Sequence, residues 1–196
     1  MLGKHNKVTQ IKGFSIVELL VVLGIIAILA TIQMGGLQEV RSRVYEILTR
    51  ADMKQISTAI YLLENDTGKW PNGCLPGEVF DPEVSINERQ SGLVSAQAPR
   101  PETDDGDGRS GGECTWTNSD VAAWNGPYLS FTKDPWGMPY LFDPDYYRFH
   151  GCPGKTEEKA IVAIISFGPN KVGINAYDCD DIVFKLGDRG SIPYSE

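Results

Sequence analysis

From Phe14 to Met34 the chain runs FSIVELLVVLGIIAILATIQM, an apolar stretch broken by one acid, Glu18. As a helix rising 1.5 Å per residue it would reach about 31 Å, the thickness of a bilayer's hydrocarbon core, which predicts a membrane-spanning segment. Past Met34 the apolar residues thin to a stripe of Val40, Val44, Leu48 and Ala51, followed by Met53, Ile56, Ile60 and Leu63. Charged side chains, among them Glu39, Arg41, Arg43, Glu46, Arg50, Asp52 and Lys54, take much of the remaining surface. Spacing by three and four predicts an amphipathic continuation. One helix is therefore expected from Phe14 to about Glu64, roughly 75 Å long, with Asn65, Gly68 and Pro71 as its stop signals. Gly35-Gly36 joins the two halves, and because each glycine costs a helix about 1 kcal/mol relative to alanine, a bend or melted turn is expected there.

Later in the chain the period shortens. Pro139 to Phe142, Tyr146 to Phe149, Ala160 to Phe167 and Ile182 to Leu186 are rich in aromatic or β-branched residues and are separated by Asp, Pro and Gly, which predicts four short strands. Antiparallel strands covering an amphipathic helix give an α+β fold. Pro76, Pro82, Pro99 and Pro101 mark the stretch between helix and sheet as irregular. The expected organisation is a polar segment over 1–13, a transmembrane helix over 14–34, an amphipathic helix with its exit turn over 35–71, an irregular insert over 72–132 and the sheet over 133–196.

Charge sharpens the picture. The formal net charge is -8, yet the first 54 residues carry seven Lys/Arg against four Asp/Glu, so the remainder holds about -11. An acidic globular part argues against nucleic-acid binding by that domain and is compatible with divalent cations. Residues 1–13 contain Lys4, Lys7 and Lys12 and no acid, which marks them as cytoplasmic, although Arg41 and Arg43 beyond the apolar run narrow the margin. A cleaved secretory signal would end in a small-residue cut site of A-x-A type, and none lies between Ala27 and Gly36. Glu18 is the anomaly: a carboxylate in hydrocarbon costs up to about 3 kcal/mol even on lenient scales, which marks it as functional.

The four cysteines, Cys74, Cys114, Cys152 and Cys179, include no C-x-x-C pair, which disfavours zinc. Two disulfides in an oxidising compartment are expected, with buried free thiols as the other reading. Of three possible connectivities, Cys74 with Cys114 and Cys152 with Cys179 close the shorter loops, each worth about 3.5 to 4 kcal/mol in the chain-entropy model. No G-x-S-x-G, phosphate-binding glycine loop or H-E-x-x-H occurs, His5 lies in the polar first segment and His150 stands alone; an enzyme is not expected.

Gly13-Phe14-Ser15-Ile16-Val17-Glu18, in front of the apolar run, resembles the cleavage and methylation motif of type IV prepilins and type II secretion pseudopilins. The resemblance implies cleavage by a prepilin peptidase between Gly13 and Phe14, N-methylation of Phe14, and a glutamate at the fifth mature residue. Cleavage would turn a neutral amide into an amine at the head of the helix. Among staggered identical helices the Glu18 carboxylate of one subunit could then meet the Phe14 amine of the next, removing two unpaired charges from hydrocarbon at once.

Three further stretches are similar to the G-type major pseudopilins. Arg50 to Pro71 resembles the helix that ends at an N-x-x-x-G-x-[YW]-P turn; Lys133 to Tyr140 resembles the D-P-W-G-x-x-Y lead into the sheet; and Ile165 to Ile182 resembles the calcium loop, with Asn170 where an aspartate is usual. Many pilin relatives carry proline where this chain has Gly35. Asn170, Asp178, Asp180 and Asp181, completed by a backbone carbonyl near Phe167, offer the hard oxygen ligands that suit calcium; a solvated acidic turn is the alternative. Asp104, Asp105 and Asp107 lack the distal glutamate of an EF-hand loop and read as a surface loop. Trp136 and Tyr140 read as core and turn packing. The expected function is a prepilin-like subunit, anchored in the bacterial inner membrane with its globular domain periplasmic or extracellular. It would assemble with itself, other pilin-like subunits and an inner-membrane platform into a type II secretion pseudopilus or type IV pilus-like filament. A minor or tip pilin with a ligand-binding head, or a single-pass anchored binding module that never polymerises, are the alternatives.

Overall fold

The computed structural model describes residues 13–77, 83–101, 114–156, 159–173 and 178–188, with the side chains of residues 30–38 left out. Helix α1 spans Ile16–Thr67, 52 residues. The chain divides into two compact units, residues 1–42 and 43–196. α1 is assigned without a break through Gly35-Gly36, so the melted turn expected there is not formed: the i to i+4 ladder needs no side chain, and glycine weakens it without removing a donor.

In the first unit the apolar side chains of α1 face outward. Phe14 and Ile16 are each 81% exposed, and the large apolar residues from there to Leu29 stay about half exposed or more. Among the described residues no helix is long and apolar enough to cross a membrane; the last five side chains of the run expected to do so, 14–34, lie outside the described residues.

In the second unit Thr49, Met53, Ile56, Ile60 and Leu63 form the buried face of α1. The earlier part of the expected stripe is not buried: Val40, Val44, Leu48 and Ala51 remain exposed. Spacing reveals an apolar face but not what covers it, and Tyr45 against Trp136, edge to face at 5.6 Å, is the most N-terminal ring contact on α1. The helix ends at Gly68, whose φ of 70° and N–H bond to the Glu64 carbonyl make a left-handed stop.

Strands β1 (Val84–Ser85), β2 (Leu141–Tyr146), β3 (Ile161–Ser166) and β4 (Ile182–Asp188) form one antiparallel sheet in the order β1-β2-β3-β4. Phe142, Val162, Ile164 and Ile182 pack with the buried face of α1, while Leu141, Ile161, Ala163 and Ile165 belong to a second apolar cluster. This is the expected α+β architecture with different strand limits. Pro139–Phe142 and Tyr146–Phe149 are not two strands: the chain is extended from Leu141 to Tyr146, and Asp143-Pro144, read from sequence as a turn, lies inside β2 at a register shift against β3. A proline can sit there because the shift frees that residue from donating to the ladder.

The stretch 72–132 is less irregular than expected. Its described parts contain β1, a 3-10 turn at Arg89–Ser91 and helix α2, Asn118–Ala123, opened by a capping box between Thr117 and Asp120. Ile86, Leu93, Trp116 and Leu129 join the main core, and Trp116 Nε1 donates to the Gln90 carbonyl at 2.9 Å. Disulfides pair Cys74 with Cys114 and Cys152 with Cys179. Asp104, Asp105 and Asp107 lie outside the described residues.

Candidate functional site

Two places carry the chemistry singled out by sequence, and the first is the head of α1. A Cβ added to Gly13 would meet nothing within 4 Å, so the fold itself makes no demand for glycine at that position. Phe14 follows with its ring almost fully exposed. Ser15 then caps the helix: its Oγ accepts the Val17 N–H at 3.3 Å, its carbonyl accepts the Leu19 N–H at 3.2 Å, and its own N–H donates to Glu18 Oε2 at 3.0 Å. Glu18 thus reaches back to the first turn, as the acid of an S-x-x-E capping pattern does. That role was readable from Ser15 and Glu18 alone, and reading Glu18 only as a lone intramembrane acid missed it. The expected leader precedes Gly13 and lies outside the described residues.

The second place is the loop between β3 and β4. Gly168, at φ 59°, packs so tightly on the Asp180 carbonyl that a side chain there would collide with it, and Gly173 is equally close to the Phe167 ring. These contacts bring the two ends of the loop together, and Cys179 ties the second end to Cys152. The Asn170 amide nitrogen donates to Asp178 Oδ2 at 2.7 Å and, over a short contact, to Asp180 Oδ1, while Asn170 Oδ1 accepts the Val172 N–H. Asp181 turns inward: its Oδ2 accepts the Tyr146 hydroxyl at 2.7 Å and the Asp178 N–H at 3.2 Å, and its Oδ1 is buried without a partner.

Electrostatics differ across the three acids. Burial pushes Asp181 up to about 6, against the lowering effect of its bonds from Tyr146 and Asp178. Burial also raises Asp180, reinforced by the neighbouring Asp178. At Asp178 burial acts in the same direction, but bonds to Asp180, Asn170 and the backbone outweigh it and hold the carboxyl below its ordinary value. Phe167 is buried in the second apolar cluster, so only its backbone carbonyl could serve a cation. Among the described residues no group of three or more His, Cys, Asp or Glu is placed to hold a metal ion. Asp178, Asp180 and Asn170 converge, and Asp181 is drawn aside by Tyr146. The donor chemistry, hard oxygens with one orphaned buried carboxylate atom beside them, is of the kind calcium takes.

Asp134, in the D-P-W-G turn, was not singled out and proves to be a hub. Its Oδ1 accepts the Trp136 and Met138 N–H groups at 3.0 and 2.8 Å, and its Oδ2 accepts the Ser166 hydroxyl at 2.6 Å. The Asx-turn preference of aspartate before a proline was the available signal. Tyr140 is fully buried and donates to Asp52 at 2.8 Å, as expected of a packing residue.

Residues 9–32 match the prokaryotic N-terminal methylation motif. No curated protein and no solved structure matches the chain. The motif implies processing by a prepilin peptidase, anchoring in the inner membrane and assembly into a pilus or pseudopilus. That motif stands at the head of a long helix packed on an antiparallel sheet, an α+β arrangement that is pilin-like and structural in kind.

Proposed function

We propose that this chain is a G-like pseudopilin, a body subunit of a type II secretion pseudopilus or a closely related filament, in which Glu18 neutralises the Phe14 amine of a neighbouring copy. One observation carries the reading: from Phe14 to Leu29 the first unit exposes its apolar side chains all round, with a carboxylate held at the head of the helix. Such a surface is covered either by lipid or by other copies of the same helix. Glu18 already points toward the residue that becomes the new N-terminus, since it bonds the N–H of Ser15. The resemblance to the G-type group is supported by the glycine stop at Gly68 and by the Asp134 turn. The burial of Ile86, Leu93, Trp116 and Leu129 in the main core favours a body subunit over a tip subunit with a separate binding head.

Calcium belongs to the same reading. Asp178, Asp180 and Asn170 would hold the ion, with Asp181 and the Phe167 carbonyl beside them, and Asn170 would present its amide oxygen where its nitrogen now faces the two carboxylates. The ion would supply positive charge that lets the acids lie together. A thermal midpoint that rises with calcium but not with an equal concentration of magnesium supports this, and one unchanged between saturating calcium and chelator removes it.

Expression with and without a prepilin peptidase tests the main proposal. In its presence the protein should lose residues 1–13, carry one added methyl group on Phe14 by mass spectrometry, and enter a sheared filament fraction when the assembly platform is present. A native protein that still begins at Met1 beside an active peptidase overturns the reading.

A further inference from the structure

We infer that Asp143, together with Glu83, is a proton-operated latch that holds the edge strand β1 against β2. The β1–β2 ladder pairs Ser85 with Leu141 and Val84 with Phe142, and the same antiparallel register carried one step further sets Glu83 opposite Asp143. Pairing stops there, at the point where two acids would face each other across the strands, an arrangement that like charges destabilise. On its other side Asp143 pairs with Ala163 of β3, immediately before the register shift that accommodates Pro144.

Asp143 is 1% exposed. Its Oδ1 accepts the Asp145 N–H at 2.8 Å, and its Oδ2 is buried with no hydrogen-bond partner. An ionised carboxylate so placed lacks a second donor, whereas a protonated one is neutral and escapes that cost. Burial first, offset by the Asp145 N–H bond, and then the charges of Glu83 and Asp145 push this carboxyl up to about 8. Among the described residues Glu83 lies on the β1 side and Asp145 on the same strand, the Tyr146 hydroxyl donates to Asp181, β3 carries no titratable side chain between Ile161 and Ser166, and Lys185 stands on the same face in the same cross-strand row, beyond Ala163.

The consequence is conformational. When β1 leaves, water reaches Asp143 and its carboxyl returns toward the ordinary value of about 3.9. Between that value and about 8 the latched form holds one proton more than the released form, so closure weakens as pH rises, by about tenfold per pH unit at most, and levels off above that window. Release uncovers the backbone of Leu141 and Phe142 on the edge of β2, where another strand can add.

Amide hydrogen exchange on the full-length, detergent-solubilised protein tests the latch, with rates corrected for the intrinsic effect of pH. Protection at Val84 to Ile86, including the Ile86 N–H bonded to the Tyr140 carbonyl at 2.9 Å, should fall by up to about tenfold per unit between pH 5 and 8, while Ile164 in the centre of β3 stays unchanged. Asp143→Asn should flatten the profile, and Glu83→Gln, which leaves Asp143 in place, should shift it to higher protection at alkaline pH. Flat protection at β1 in the native protein, an undiminished slope in Asp143→Asn, or unchanged alkaline protection in Glu83→Gln overturns the proposal.

Discussion

Replacing Glu18 with glutamine separates two roles that alanine removes together. The Ser15 N–H donates to Glu18 Oε2 at 3.0 Å, and a glutamine can keep that acceptor while losing the charge. A cap bond of this kind is worth about 1 kcal/mol, roughly a fivefold effect on the first turn of the helix. Leaving a carboxylate unpaired in hydrocarbon costs up to about 3 kcal/mol, roughly two orders of magnitude in the choice between lone and assembled helices. If charge pairing with the Phe14 amine of the next copy drives assembly, Glu18→Gln and Glu18→Ala should both empty the sheared filament fraction, though leader removal proceeds in both. Helix content by circular dichroism should fall, slightly, only in the alanine variant. A glutamine variant that fills the filament fraction as the native protein does, beside a defective alanine variant, would show that Glu18 serves as a cap and would refute the electrostatic account.

Asp134→Ala strips acceptors from two backbone donors and the buried Ser166 hydroxyl, and should cost about 3 kcal/mol in urea unfolding, with Asp134→Asn milder because its oxygen can still accept; a loss under about 1 kcal/mol would deny the hub. Replacing both Cys152 and Cys179 by serine frees a loop with a sequence separation of 27 and should cost about 3.5 kcal/mol in the chain-entropy model, read as a melting midpoint lowered without reductant, which reductant then lowers further only through Cys74–Cys114. Burial, with the Asp66 carboxylate adding to it and the Asn125 N–H bond opposing it, pushes Tyr128 up to about 12. The folded state therefore keeps the phenol proton longer than the unfolded chain does, so this contribution is complete below about pH 10 and is lost as pH rises toward 12. The stability difference between native protein and Tyr128→Phe should shrink over that window, and a constant difference would contradict it.

Much of this molecule was legible because its signals are local. The stop at Gly68 needs only a residue at ease with positive φ, and the β-branched run from Ile161 to Ile165 declares a buried strand by its own composition. Asp143-Pro144 failed for the opposite reason: alone it reads as a turn, and only β3 alongside makes it a register shift within a strand. Val40, Val44 and Leu48 share the periodicity of Met53, Ile56 and Ile60, yet only the later residues are buried, because periodicity describes one face of a helix and not its neighbour.

The sequence by itself determined the methylation motif: a glycine, an aromatic and an acid in order before an apolar run, a linear pattern that needs no fold to be read. The tertiary structure alone decided which polar groups lie dry. Asp143 loses its water to strands distant in sequence, and Asp134 gathers donors from its own turn and from Ser166, 32 residues on. Desolvation is a property of everything packed around an atom, and no local spacing encodes it.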